Sequence, residues 1–275
     1  MSMTWRKQLQ VIPGSAFQPA DVDTGGTPGW KRSGKAEAEE RLRKNVAALA
    51  GLECKLYAEN RRAVLVVLQG MDAAGKDGLI RTVFSGLNPQ GCRVTSFKAP
   101  SVEELAHDFL WRIHKALPPR GEIGVFNRSH YEDVLVVRVH DLAPKAVWKA
   151  RYATINSFER LLTEAGVMVV KFFLHIGRDE QKRRLLARLD DPNRNWKASA
   201  ADFVERARWN DYMKAYGDAL TRCSTACAPW YVIPSDHKWF RSLAVSEILR
   251  ETMEDMRLKF PPPLADAAAL RLKLK

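Results

Sequence analysis

Apolar positions in this chain fall into short runs that alternate with longer stretches of helical period. Residues 63–69, Ala-Val-Leu-Val-Val-Leu-Gln, are β-branched and almost wholly apolar, which predicts a strand buried on both faces. Residues 92–97, 122–127, 168–176 and 230–234 predict four further strands, and the run at 168–176 is interrupted only by Lys171 and His175. Helical periods fill the gaps. Leu42, Val46, Leu49 and Leu56 share one stripe of a helix predicted at 37–60. Val102, Leu105, Ala106, Phe109, Leu110, Ile113 and Leu117 recur at spacings of three and four, predicting one amphipathic helix at 102–117. Further helices are expected at 77–87, 144–165, 179–189, 202–225 and 240–260. Strand–helix alternation with continuous apolar strands predicts an α/β fold, three layers with a central parallel five-stranded sheet. One domain, 36–260, is expected, with a helical lid at about 178–210. Residues 1–35, rich in Gly, Pro and Ser, read as an extended arm, and 261–275, after three prolines, as a weakly fixed tail.

Composition adds one fact to this picture. The chain has 275 residues, 46% apolar and 28% charged, the balance of a protein that buries a core. Its 44 Lys and Arg against 32 Asp and Glu leave a net charge of +12, which favours a polyanionic partner: a phosphorylated substrate, a nucleic acid or an acidic membrane. Residues 1–10 have no apolar signal-like region, and no apolar run approaches the roughly 18 residues of a membrane span, so no membrane partner is expected. Cys54, Cys92, Cys223 and Cys227 lack the neighbours that would complete a metal set; they read as reduced thiols of a cytoplasmic protein.

The chemistry gathers where strands are expected to end. Directly after the first strand, residues 70–76 run Gly-Met-Asp-Ala-Ala-Gly-Lys, the spacing of a phosphate-binding loop (P-loop). Its glycines let amides converge on one anion, and the helix that follows adds partial positive charge. Ala73, Ala74, Gly75, Lys76, Asp77 and Gly78 are therefore the expected phosphate contacts. Two positions depart from the nucleotide-binding form. Asp77 stands where Ser or Thr usually holds magnesium, and Asp72 is a carboxylate inside the loop, which needs a cation beside it or must turn away to cap the helix. After the third strand comes Asn127-Arg128-Ser129-His130-Tyr131-Glu132-Asp133. Arg128 has the planar fork of a phosphate clamp, Glu132 and Asp133 can supply charge near a metal, and His130 reads as a packed histidine. On the helix after the fourth strand, Arg178 and Lys182 share one face, while Arg184 and Arg188 share another roughly 120° round.

These stretches resemble the polyphosphate kinase 2 family across about residues 31–260. The resemblance is carried by Gln69-Gly-Met-Asp-Ala-Ala-Gly-Lys-Asp-Gly78, Asn88-Pro-Gln-Gly-Cys-Arg, Ser96-Phe-Lys-Ala-Pro-Ser101, Phe126-Asn-Arg-Ser-His-Tyr-Glu-Asp-Val-Leu135 and Ala228-Pro-Trp-Tyr-Val-Ile-Pro234. Asn127 with Glu132 is similar to the class III branch, whose members phosphorylate nucleoside mono- and diphosphates. The resemblance implies a P-loop kinase-like fold and Mg²⁺-dependent, reversible phosphoryl transfer from inorganic polyphosphate to AMP or ADP, giving ADP or ATP. It also implies Mn²⁺ as a substitute metal, GMP and GDP as further acceptors, no nucleic acid, and a homo-oligomer, dimer or tetramer. By position, Asp72 and Glu132 would hold the metal, Lys76 and Arg128 the phosphates, and Arg184 and Arg188 the transferring group, with Lys98 and Arg178 as added contacts. Two other readings compete: an ATP-dependent nucleotide or small-molecule kinase on the same scaffold, and a basic nucleic-acid-binding module.

Overall fold

A computed structural model describes residues 4–197, 199–263 and 267–274. Its centre is an all-parallel five-stranded sheet. In chain order the strands are β1 (Ala63–Gln69), β2 (Cys92–Ser96), β3 (Ile123–Asn127), β4 (Val167–His175) and β5 (Trp230–Pro234). Their spatial order is β2-β3-β1-β4-β5. Every residue of β1 and β5 is buried, as continuous apolar runs require when both faces are covered.

Helices cover both faces. On one side α2 (Lys35–Glu59) and α3 (Lys76–Val83) pack against α11 (Lys238–Asp255), with a buried hydrogen bond from Asn45 to Ser246 at 3.0 Å. On the other, α7 (Lys145–Glu164) lies on β4 and meets α10 (Trp209–Cys223). The chain leaves β1 through α3 towards β2, but leaves β3 through α6 (Val136–Val139) and α7 towards β4. The carboxyl ends of β1 and β3 therefore flank the point where successive connections diverge, the usual place for a ligand crevice in an open parallel sheet.

Several expected boundaries are corrected. The single helix expected at 102–117 is two: α4 (Val102–Leu105) and α5 (Trp111–Ala116). Asp108 turns its carboxylate onto the Leu110 amide at 2.9 Å, an Asx-type bond that competes with helical pairing, so Val102 and Leu105 stay 87% and 69% exposed. The helix expected at 202–225 breaks at Arg208 into α9 (Ala200–Ala207) and α10. With α8 (Arg178–Leu189), α9 forms the excursion between β4 and β5. The arm holds a short helix, α1 (Trp5–Leu9), packed against α11 and β5, and Gln10 makes an antiparallel bridge to Tyr231. Of the expected tail, residues 264–266 and 275 lie outside the described residues, while α12 spans Ala267–Leu272. The four cysteines are free, and Cys227 falls beyond the end of α10. Among the described residues, no helix is long and apolar enough to cross a membrane.

Candidate active site

The loop after β1 is shaped by two glycines. Gly70 takes a φ of 155°, and a side chain there would meet the Leu174 carbonyl at 2.7 Å. Gly75, at φ 102°, starts α3, and a Cβ there would lie 1.9 Å from Nη1 of Arg241. Between them Ala73 also adopts a left-handed φ of 63°. The first-turn amides of α3 have no acceptor within the helix and form the positive end of its dipole. Lys76 folds back over this loop, only 8% exposed, and donates to the Gly70 carbonyl at 2.7 Å and the Met71 carbonyl at 3.4 Å. Burial, with Arg128 nearby, pushes its pKa below the usual lysine value.

The segment after β3 brings the second half of the site. Arg128 has φ 63°, and its amide donates to the Leu68 carbonyl at 3.0 Å, which carries the β1–β3 ladder one step beyond the strands. The turn turns the guanidinium across to the loop. Nη2 donates to Asp72 Oδ1 at 2.8 Å, and Nη1 stands 3.7 Å from Glu132 Oε2. Burial alone would lower the Arg128 pKa, but the Glu132 and Asp72 carboxylates outweigh it and hold the guanidinium above its ordinary value. Asp72 is thus turned to Arg128 rather than to a cap of α3, whose N-cap, Gly75, makes no side-chain bond. Asn127 Nδ2 donates to Asp77 Oδ1 at 2.8 Å, joining the two strand ends again.

A buried network fixes the turn that carries Glu132. The Ser129 hydroxyl accepts from Gln69 Nε2 and from the Tyr131 amide, each at 3.1 Å. Below it the Glu159 carboxylate, fully buried, accepts from the Tyr131 hydroxyl at 2.8 Å and from Lys171 Nζ at 2.5 Å, and lies 3.2 Å from Nε2 of His130. His130 is a packed residue, its pKa lowered by burial.

The α8 arginines separate in role. Arg184 Nε donates to Glu180 at 2.6 Å, Nη1 to the Ala73 and Ala74 carbonyls at 3.0 and 3.2 Å, and Nη2 to the Ser235 and Asp236 carbonyls at 2.6 and 2.9 Å. All of its nitrogens are engaged by the protein, which ties α8 to the loop carbonyls and to the end of β5. Arg188 donates to Asp202 on α9 at 2.9 Å. Arg178 is exposed at the start of α8, and its carbonyl accepts from Arg206 at 2.7 Å. Lys98 is exposed beyond β2, in a groove shared with Arg112 and Lys115.

The structure brings Asp72, Lys76, Asp77, Arg128 and Glu132 together at the ends of β1 and β3, whereas Arg178 and Lys98 are exposed. It also adds residues that sequence reasoning missed. Gln181 donates to the Asp72 carbonyl at 3.0 Å, and Arg241 donates to the Ala74 carbonyl at 3.1 Å. Gln181 had a signal, its place beside Glu180 and ahead of Arg184. Arg241 had none, because its contact joins positions 167 residues apart.

No group of three or more His, Cys, Asp or Glu among the described residues is arranged to hold a metal ion alone. Mg²⁺ does not require one: it commonly takes one or two carboxylates and completes its shell with phosphate oxygens and water. Asp72 and Glu132, facing each other across Arg128, fit that mode.

Comparison with known proteins bears on the family and the fold. The sequence model of the family described as Polyphosphate kinase 2 (PPK2) matches residues 32–261. The chain is 48% identical over 257 residues to the AMP/ADP-polyphosphate phosphotransferase of Meiothermus ruber, covering 94% of this chain and 96% of that one. It is 51% identical over 267 residues to the ADP-polyphosphate phosphotransferase of Rhodopseudomonas palustris, covering 93% and 92%. The crystal structure of Polyphosphate Kinase 2 from Arthrobacter aurescens TC1 superposes with a TM-score of 0.95 at 46% identity, over 99% of this chain and 96% of that one.

Proposed function

The chain belongs to the polyphosphate kinase 2 family, enzymes of phosphoryl transfer between polyphosphate and nucleotides, and from that premise we propose that both AMP and ADP are its acceptors. The observation that carries the reading is the Asp72–Arg128–Glu132 array set across the mouth of the phosphate loop. A relative named for AMP and ADP together, 48% identical over nearly the whole chain, supports the pair of acceptors.

The reaction needs little acid–base work. An acceptor phosphate oxygen, already ionised near neutral pH, forms a bond to the terminal phosphorus of polyphosphate. The bridging P–O bond breaks, and the shortened chain leaves with the electron pair. Catalysis is then positioning and charge neutralisation. The α3 amides and Lys76 hold the phosphates at the loop. Arg128 offers a fork matched to two oxygens of the transferring group. Arg184 acts by fixing the loop carbonyls, and Arg188, which donates to Asp202 through Nη1, keeps further donors for the transferring group. Lys98 and Arg178 contact phosphates further along the chain. Asp72 and Glu132 would hold Mg²⁺, or Mn²⁺ in its place, which when bound spreads the developing negative charge. Closure of α8 and α9 over the site excludes water, which would otherwise compete as acceptor. We place the enzyme in the cytoplasm, as a dimer or tetramer, where AMP and ADP are at hand.

Incubating the protein with AMP, Mg²⁺ and long-chain polyphosphate, with no ATP, tests this reading. ADP appears first and ATP follows. An absence of both products, with transfer restored by ATP as donor, would favour the ATP-dependent kinase instead.

A further inference from the structure

Arg241 lies in the first turn of α11, 3% exposed, behind the phosphate loop. Its guanidinium approaches the point where the loop becomes α3 through Nη1. A Cβ at Gly75 would fall 1.9 Å from Nη1 and 2.9 Å from Cζ, and one at Gly78 would fall 3.6 Å from Nη2. Only the absence of a side chain at 75 allows so close an approach. Nη1 donates to the Ala74 carbonyl at 3.1 Å, and Nε is buried with no partner among the described residues.

What sets this residue apart is its missing counter-charge. Buried arginines are ordinarily paired with a carboxylate. No carboxylate is paired with Arg241 among the described residues; the charged group acting on it is Arg184, which repels it. Lys238, one turn earlier, is likewise near Arg184, Arg241 and Arg183. Burial and Arg184 lower the Arg241 pKa to about 10, which still leaves it protonated at neutral pH. The one carbonyl it bonds, that of Ala74, is shared, because it also accepts from Arg184 at 3.2 Å. The charge itself is what Arg241 contributes.

We infer that Arg241 is a positioning residue of the phosphate loop, a buried cation whose counter-ion is the phosphate chain bound on the other face of Gly75. It rests on the polyphosphate reading above and adds a source of affinity that touches no substrate atom. In the free protein the unpaired charge is a burden on stability; with a polyanion across the backbone it becomes an attraction. The charge of the chain is nearly the same in the ground state and the transition state. Arg241 therefore acts on binding and not on the chemical step.

The test compares Arg241→Met, which keeps bulk and removes charge, with Arg241→Lys, which keeps charge. Free-protein melting temperature, calorimetric binding of inorganic tripolyphosphate, and KM and kcat with polyphosphate are measured for each. R241M is expected to melt no lower than wild type, since an uncompensated buried charge has been removed. It should bind tripolyphosphate about tenfold more weakly, the order expected for one charge acting through a shielded protein distance. Its KM should rise to match with kcat nearly unchanged, and R241K should recover most of the loss. Wild-type affinity in folded R241M overturns the inference. So does a lower melting temperature with equal loss of kcat and binding in both variants, the signature of a purely structural role. Wild-type protein that fails to bind tripolyphosphate sinks the polyphosphate reading along with it.

Discussion

Arg128 sits where two carboxylates, an amide turn and a phosphate loop meet, and its left-handed backbone is part of how it gets there. A non-glycine residue at φ 63° costs of order 1 kcal/mol, a strain kept at sites where it aims a side chain. Because Asp72 and Glu132 already hold the guanidinium in place, little reorganisation is needed when phosphate arrives. Lysine cannot reproduce that fork. Arg128→Lys is expected to lose about 10²–10³ in kcat, the scale for removing one charge-stabilising donor, with its melting temperature close to wild type. Turnover near wild type in the purified variant would remove Arg128 from the mechanism. Lys76 leads to a pH prediction. Its pKa is lowered in the free protein, so its positive charge is lost as pH rises through a value below 10.5. The alkaline limb of kcat/KM for polyphosphate should appear below that pH, and the limb of kcat should lie higher, because bound phosphate supports the ammonium. A profile flat up to pH 10.5 would contradict this.

At the scale of elements, a buried polar strut joins α7, β4 and the turn after β3. Lys171, in an otherwise apolar strand, donates to Glu159, to the Tyr131 hydroxyl at 2.8 Å and to the Cys223 carbonyl at 2.7 Å. Lys171→Met leaves a buried carboxylate uncompensated and should cost about 3–5 kcal/mol, read by urea unfolding. Adding Glu159→Leu should recover most of that. Burial alone would raise the Glu159 pKa, but Lys171 and His130 outweigh it and hold it below 4.5. Its stabilising effect is therefore present above pH 4.5 and is lost as pH falls through the lower folded value, so the double variant should lose less stability on acidification. Equal acid sensitivity in both proteins would count against the strut. Lys171 and His175 were visible in the sequence as breaks in an apolar run, yet their partners were not. Glu159 lies on another element, and His175 bonds the Pro19 carbonyl at 2.9 Å, in an arm that shows no periodicity. The strands and the phosphate loop were legible because their signals are local: burial on two faces, and a spacing of seven residues. The break between α4 and α5 was hidden because an Asx bond at Asp108 overrode a sound helical period. Arg184 was legible as a candidate phosphate contact, but its engagement with four carbonyls depends on where β5 ends.

For the whole molecule, the excess of +12 becomes a statement about binding once the site is placed. Next to the site, at the end of β2, the Phe97 amide bonds the Asn127 carbonyl at 3.0 Å. Beyond it runs a groove of about 360 Å³ lined by Lys98, Arg112 and Lys115, with Glu104 as its one acid. Arg112 is tied to Glu104 at 3.5 Å and to the Lys98 carbonyl at 2.9 Å, and Lys115 stacks over Trp111 at 4.0 Å, leaving the ammonium of Lys98 exposed to solvent. A linear polyanion displaces small ions along such a track, so its affinity falls steeply with salt, while a short ligand held at the loop alone responds less. KM for long-chain polyphosphate should rise by roughly tenfold or more between 50 and 200 mM salt, with kcat at saturation little changed. The same increase in salt should move KM for tripolyphosphate far less. Lys98→Glu with Lys115→Glu should flatten the salt dependence for long chains and raise their KM, yet leave tripolyphosphate near wild type. Equal salt slopes for long and short chains, or a double variant that weakens both alike, would confine the phosphate chain to the loop and return the groove to an ordinary solvated surface.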